Sequence, residues 1–449
     1  MFDNFGRKMK IGLVGGGLAG SLLAVYMARK GHEVHVFERR PDMRGGQYEG
    51  GRSINLALSM RGLKALEKVG LDVPVLEQAI PMHGRMMHDL AGNLTYQPYG
   101  KDGQAINSVS RGGLNIQLIQ LADAYPNIHL YFRHRCTHAD LDTASATFET
   151  EDGSSMEFQG DYLIGTDGAY SAVRDAFQRS NRFNYSQSYI DHGYKELEIV
   201  PGPGGSFPME KHCLHIWPRA AYMLIALPNP DGSFTCTLFF PWEGNPSFTS
   251  LDSDAKIKAF MEEQFSDAVG LMPNYLHDFN TNPTGSLVTV RSYPWVRGKA
   301  ALLGDAAHAI VPFYGQGMNC AFEDCRILDE CMERHPGNMA AALDEYQVLR
   351  KTNADAVADL ALQNFVEMRD RVGDAGFLHR KHVEHDLAEL YPDRFRSQYE
   401  LVSFSNEPYR YAWDQGVRNG ALLDYLIENK LEDQLGDRAL LTPLFDRFL

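Results

Sequence analysis

Disulfide frameworks, metal knuckles and basic clusters are all missing from this 449-residue chain. Its six cysteines (Cys136, Cys213, Cys236, Cys320, Cys325, Cys331) are too few and too irregularly spaced for a disulfide scaffold, and none stands in CxxC spacing. They read as reduced thiols in a cytoplasmic protein. Sixteen histidines include no HExxH, and "HRCTHAD" (134–140) reads as strand, so no metal is expected. Positive charge is also short. Against 58 Asp and Glu stand 43 Lys and Arg, a formal net charge of −15, without the basic patches a phosphate backbone needs. Nucleic acid is excluded as a partner.

Long apolar runs are missing too. The opening "MFDNFGRKMK" is polar and charged, unlike a secretory leader. Two uncharged stretches, Ile11 to Ala28 and Ala306 to Phe322, are broken by glycine or proline turns and suit a packed nucleotide site better than a bilayer span. The C-terminal "ALLDYLIENKLEDQLGDRALLTPLFDRFL" has an amphipathic helical pattern, expected to break at Gly436 and at Pro443. No internal repeat, low-complexity tract or long linker interrupts the chain. A soluble enzyme without a membrane partner is the expectation, its oligomeric state open between monomer and homodimer.

What is present begins with "KIGLVGGGLAGSLLAVYMARKGHEVHVFERR". A strand is predicted over 10–14, then a glycine turn, a helix to Arg29, and a second strand from Glu33 that ends in Glu38. Gly15, Gly17 and Gly20 stand in GxGxxG spacing: the first allows a tight turn, the second lets backbone approach a pyrophosphate, the third permits close helix–strand packing. Glu38 is placed to accept hydrogen bonds from ribose hydroxyls, and its charge disfavours a 2′-phosphate. FAD and NAD both satisfy this motif.

Three further segments go beyond a plain dehydrogenase. "DYLIGTDGAYSAVRDAF" (161–177) ends a strand in Asp167-Gly168 and starts a helix with Ser171 and Arg174. "LLGDAAHAIVPFYGQGMNCAFED" (302–324) ends a buried strand in Gly304-Asp305 and passes through a glycine-studded turn into a helix. "GRSINLALSMRGLKAL" (51–66) sets Arg52 before an apolar segment and a helix near Ser59. Singly, Asp305 could be a helix cap and Asp167-Gly168 an ordinary turn. Together, spread over some three hundred residues, the segments resemble the flavoprotein aromatic hydroxylases.

That resemblance implies a set of cofactor residues. Asp305 would bind the ribitol chain of FAD. Asp167 and Gly168 would lie by the flavin pyrophosphate and the path of NADPH. Arg52 would sit beside the flavin, and Arg111, in "SVSRGGLN", would reach the phosphates or adenosine; Arg39 follows Glu38 on the same side. Gly315, Gly317, Met318 and Asn319 would turn backbone N–H groups and a helix N-terminus toward the isoalloxazine. His308 is expected only to pack or bond locally.

The resemblance is strongest to the kynurenine-hydroxylating members of that family, in "GRSINLALSMRGLKALEKVGL" (51–71), "DHGYKELEIV" (191–200), "PFYGQGMNCAFEDC" (312–325) and "NADAVADLALQNFVEMRD" (353–370). It implies L-kynurenine as substrate, NADPH and O2 as co-substrates, and hydroxylation through a flavin C4a-hydroperoxide in tryptophan degradation. Arg85, Tyr99, Asn364 and Tyr399 would hold the amino-acid end. Leu214, Met223, Ile225, Leu227, Thr237, Phe239, Pro312, Phe313 and Met368 would line the ring slot. No protein acid or base is implied, because the aniline nitrogen already activates the ring carbon beside it. Tyr314, after Pro312-Phe313, departs from a position that varies in the family and receives no role.

The expected fold is α/β: a Rossmann-like FAD-binding domain from 1–75, 105–180 and 285–335, an inserted mixed β-sheet substrate domain from 76–104 and 181–284, and a C-terminal helical region from 336–449. Two other readings stand beside it: a flavin hydroxylase of another aromatic acid, and an FAD-fold binding protein without turnover.

Overall fold

The computed structural model describes residues 7–46, 55–100, 103–368 and 375–449. The chain divides into two compact units, each assembled from three stretches. Met1–Gln78, Val109–Tyr189 and Val288–Ala358 form the first; Ala79–Ser108, Ile190–Leu287 and Asp359–Leu449 form the second.

In the first unit the strand Lys10–Val14 lies inside a six-stranded sheet ordered Val296–Arg297, Ala300–Leu302, Tyr162–Gly165, Lys10–Val14, Glu33–Glu38, Ile128–Phe132. Every neighbouring pair is parallel except the outermost, Val296–Arg297 with Ala300–Leu302. Parallel sheets are covered on both faces, which is why "IGLV" is a continuous apolar run rather than an alternation: Ile11, Leu13 and Val14 are all buried. The helix Leu18–Arg29 is buried along nearly its whole length and packs against the helices Arg111–Asp123 and Gly317–Arg334. A three-stranded antiparallel sheet, His134–Asp140, Ser145–Thr150 and Ser155–Gln159, brings Phe148 and Phe158 onto Phe37, with ring centroids 3.9 and 5.3 Å away.

Register fixes where a ligand can go. Val14 pairs with Gly165, and Gly165 with Leu302, so these three strands end level with one another. Their following loops, which carry Gly15–Gly17, Asp167-Gly168 and Gly304-Asp305, leave from one edge of the sheet. Open α/β sheets bind ligands at that carboxyl edge.

The second unit is built on a mixed sheet ordered Thr284–Tyr293, Asn184–Ile199, Phe234–Pro241, Tyr222–Pro228, Cys213–Arg219, Gly84–His88, Leu94–Pro98; the first two of these strands cross the division between the units. Side chains alternate across it. Trp217, Leu224, Ala226, Cys236, Leu238 and Phe240 share a core with Ile257, Phe260 and Met261 of the helix Asp254–Gln264. A separate core joins the helices Ala375–Leu390, Tyr409–Glu428 and Arg438–Phe448 through Leu387, Leu422, Leu426, Leu441 and Phe445.

One expectation fails here. Gly436 does lie between helices, but Pro443 sits inside Arg438–Phe448 and does not end it. A proline removes a single backbone donor, and burial of Leu441, Leu444 and Phe445 on the face beside it outweighs that loss. No helix among the described residues is long and apolar enough to cross a membrane.

Candidate functional site

The glycine turn of the first unit has the tight, open geometry that a pyrophosphate would need. Gly15 has φ +107°, and a side chain there would meet the Thr166 carbonyl at 2.6 Å; one on Gly20 would meet the Gly15 carbonyl at 1.9 Å. Thr166 Oγ1 donates to the carbonyls of Val14 and Gly15, closing the turn against the neighbouring strand. Gly17 is the opposite case, with nothing within 4 Å of an added Cβ. It precedes the helix Leu18–Arg29 without a side-chain cap, so the first amides of that helix face open space. An anionic ligand fits there.

Glu38 ends its strand buried, its carboxylate accepting from the amides of Gly16 and Arg40, both at 2.9 Å. Each oxygen keeps a second lone pair for a ribose hydroxyl. Arg39 is exposed beside it, in a groove shared with Arg133 and Arg135. Asp167 Oδ2 accepts from the amides of Ala172 and Val173 at the start of the helix Ala172–Gln178. Its Oδ1 is buried with no hydrogen-bond partner among the described residues, and burial raises its pKa. Gly168 follows at φ +84°.

Asp305 opens the short helix Asp305–His308. It is open to solvent, yet the surrounding protein desolvates its carboxyl and raises its pKa; His308 and Arg111 pull it back and Asp324 adds to the rise. Arg111, exposed at the start of the helix Arg111–Asp123, is near enough for its charge to act on that carboxyl. Gly315 packs against Ala57, and Asn319 is fully engaged: its Oδ1 accepts from the Ser59 amide, its Nδ2 donates to the carbonyls of Ala57 and Gly315. Gly317 and Met318 begin the 18-residue helix Gly317–Arg334, again without a side-chain cap. Arg52 lies outside the described residues.

In the second unit, one sheet face collects most of the expected substrate residues. Arg85 is opposite Leu214, Ile216 opposite Ile225, Ile225 opposite Thr237, and Met223 opposite Phe239. Leu214 and Ile216 are two apart, as are Met223, Ile225 and Leu227, so all these side chains leave on the side away from the Trp217–Leu238 core. At the Arg85 end the Tyr99 and Tyr399 rings stack with centroids 5.1 Å apart, and the guanidinium lies 5.4 and 5.0 Å from them. Burial raises both phenol pKa values, and the Arg85 charge opposes it. Asn364 is buried and donates to Met368 Sδ at 3.3 Å. Pro312 and Phe313 belong to the first unit, in the turn Pro312–Tyr314, the proline exposed and the phenylalanine buried.

Several residues escaped the sequence reading. Phe404 adds a third ring beside Tyr99 and Tyr399, at 6.5 and 6.0 Å. Lys381 acts on Arg85 through its charge while paired with Glu384 at 2.8 Å. In the first unit Arg61, Glu323, Asp324, Arg326 and Arg350 form a buried ion network beside Gly304. The acidic pair in "FEDCR", placed on a helix otherwise facing inward, was the available signal for it.

The FAD binding domain family matches residues 8–361 of the chain. The kynurenine 3-monooxygenase of Myxococcus xanthus (strain DK1622) is 52% identical over 425 residues, covering 94% of this chain and 91% of that protein. The chain belongs to the kynurenine 3-monooxygenase family. Another member, from Dictyostelium discoideum, is 48% identical and spans 93% of each chain. Among solved structures, the tetrameric form of 2-methyl-3-hydroxypyridine-5-carboxylic acid oxygenase matches with TM-score 0.65 and 21% identity over 83% of this chain and 96% of that one. Pseudomonas aeruginosa PqsL in complex with 2-aminobenzoylacetate matches with TM-score 0.65 and 18% identity over 83% and 100%. These two carry the fold alone. Membership of the kynurenine 3-monooxygenase family makes FAD the cofactor, in agreement with the open Gly17 cradle and the desolvated Asp305.

Proposed function

We propose that this chain hydroxylates L-kynurenine to 3-hydroxykynurenine with FAD, using NADPH and O2. The observation that carries the reading is the sheet face of the second unit, where a cation flanked by two tyrosines stands at one end of an apolar floor. Kynurenine has matching ends, a zwitterion and an aniline ring. Successive residues on one strand face are about 6.7 Å apart. A carboxylate held at Arg85 would leave the ring over the apolar rows of this face, from Leu214 toward Ile225 and Thr237.

In this reading Arg85 binds the substrate carboxylate, with the Tyr99 and Tyr399 hydroxyls and Asn364 completing the polar end. Leu214, Met223, Ile225, Leu227, Phe239 and Met368 orient the ring and exclude water, and Thr237 contributes its methyl and hydroxyl. Gly15, Gly17, Gly20, Glu38, Arg39, Arg111, Asp167, Gly168, Asp305, Gly315, Gly317, Met318 and Asn319 hold the cofactor. Bound FAD, once reduced by NADPH, supplies the activated oxygen. The chain need move no proton to start the reaction, since the aniline lone pair makes the neighbouring ring carbon nucleophilic. A cytoplasmic setting belongs to the same proposal, supported by six free cysteines, five of them buried.

The test is NADPH consumption by the purified protein with and without L-kynurenine, with 3-hydroxykynurenine and hydrogen peroxide quantified together. Stimulated consumption matched by hydroxylated product is expected; stimulation that yields peroxide alone would refute kynurenine as the substrate.

A further inference from the structure

Asp324, in the helix Gly317–Arg334, is fully buried and holds the loop that carries Asp305. Its Oδ2 accepts from the Gly304 amide at 3.1 Å and from His308 Nε2 at 2.6 Å, and its Oδ1 accepts from Arg350 Nε at 2.6 Å. Gly304 stands at φ +62° and ψ −142°, a backbone geometry for glycine that leaves the direction of its amide to be fixed by a partner. The rest of the loop is bonded as well. Arg174 donates to the Ala306 carbonyl at 2.9 Å, and Ser292 to the Ala307 carbonyl at 2.7 Å.

Amid these bonds the Asp305 carboxylate makes no hydrogen bond to the described residues and stays accessible. Residues 304, 306, 307 and 308 are each tied down and 305 is left for a ligand. The neighbouring Glu323 does not share this work, since its oxygens pair with Arg61 at 2.9 Å and Arg350 at 2.5 Å. His308 is held by Asp324 a turn of chain beyond Asp305, and that carboxylate favours the imidazolium form against burial.

We propose that Asp324, together with the His308 it holds, is a positioning residue of the cofactor site: its carboxylate fixes the Gly304–Asp305 turn so that Asp305 meets the ribityl hydroxyls of FAD in one arrangement. The role rests on the assignment of Asp305 to that chain of the cofactor. Asp324 touches neither cofactor nor substrate. It acts through the Gly304 amide and the His308 ring.

The deciding measurement is FAD affinity of the folded apoprotein, read by calorimetric titration beside its thermal melting. Asp324→Asn keeps the shape but loses the charge and one acceptor, and is expected to weaken FAD binding about tenfold or more, the scale of one charged hydrogen bond. His308→Ala, which leaves Asp324 and Gly304 in place, is expected to weaken it as well. A purely structural role would lower the melting temperature and leave the dissociation constant of the folded fraction at the wild-type value; that result overturns the proposal. If Asp324→Asn does not fold, His308→Ala decides by the same criterion. Wild-type protein that binds no FAD would instead overturn the cofactor assignment itself.

Discussion

Gly17→Ala and Gly20→Ala, three residues apart, separate cofactor binding from folding. At Gly20 the added methyl would stand 1.9 Å from the Gly15 carbonyl oxygen and 2.7 Å from Thr166 Oγ1. Both neighbours are held in place, so turn and helix must part by more than an ångström. Overpacking of this kind costs about 1–3 kcal/mol, and a backbone clash belongs at the upper end. Alanine's better helix propensity returns about 1 kcal/mol. A net loss of about 2 kcal/mol, set against an unfolding entropy of about 2.1 cal/mol/K per residue, lowers the melting temperature of the 449-residue apoprotein by about 2 °C. At Gly17 the backbone, φ −73° and ψ −170°, suits any L-residue, and no atom lies within 4 Å of the new methyl. Apoprotein stability should therefore change by only about 0.5 kcal/mol, the scale of a cap exchange. FAD binding should fall about 100-fold, or 2.7 kcal/mol, because the methyl occupies the approach of the pyrophosphate to the helix amides. Scanning calorimetry of both apoproteins and FAD titration by flavin fluorescence measure the two quantities. Wild-type affinity in Gly17→Ala would refute the placement of the pyrophosphate, and wild-type melting in Gly20→Ala would refute the steric argument.

Arg85→Ala should raise the KM for L-kynurenine about 10–100-fold, the loss of one or two charge-assisted hydrogen bonds, with FAD content unchanged; steady-state kinetics on flavin-loaded protein measure it, and an unaltered KM would remove Arg85 from the carboxylate. Asp267 accepts from His88 Nδ1 at 2.7 Å and from the Trp217 indole at 2.9 Å, and these bonds with the His88 charge hold its pKa below the ordinary 3.8 against the desolvation that would raise it. A depressed carboxyl stabilises the fold above its unfolded pKa and loses that contribution as pH falls through its folded one. The difference in melting temperature between wild type and Asp267→Asn should thus be largest above pH 4 and narrow on further acidification; a gap that widens below pH 4 would contradict the sign.

The parallel strands of the first unit were legible because buried strands, glycine turns and capping residues announce themselves locally: Ser59 and Ser171 both precede helices where expected, and Glu38 closes its strand. Alternating apolar residues in the strands Tyr222–Pro228 and Phe234–Pro241 mark two faces without saying which is core, and packing with Trp217 and the helix Asp254–Gln264 decides it. Long-range partners leave little local trace: the acidic pair in "FEDCR" hints at a buried network, but nothing around Arg350 marks it as the cation buried against Glu323 and Asp324. His308 is expected to pack or bond locally, and its bond runs to Asp324, sixteen residues on in the next long helix. Propensity alone predicts a helix break at Pro443, and the buried Leu441, Leu444 and Phe445 beside it keep the helix continuous.

The three-part assembly of the first unit has a consequence for how the protein is made. Lys10–Val14 leaves the ribosome early, but one of its two sheet neighbours, Tyr162–Gly165, and the Asp324–Arg350 pair that braces the Asp305 loop come far behind it. At about 5–20 residues per second, translation of the intervening ~340 residues takes roughly 17–70 s. For the first ~150 residues of that interval, about 8–30 s, the apolar "IGLV" strand has an unpaired edge, and throughout it the glycine turn lacks the braced Asp305 loop. Flavin capture at this site therefore comes late in biosynthesis, after Arg350 has joined Asp324.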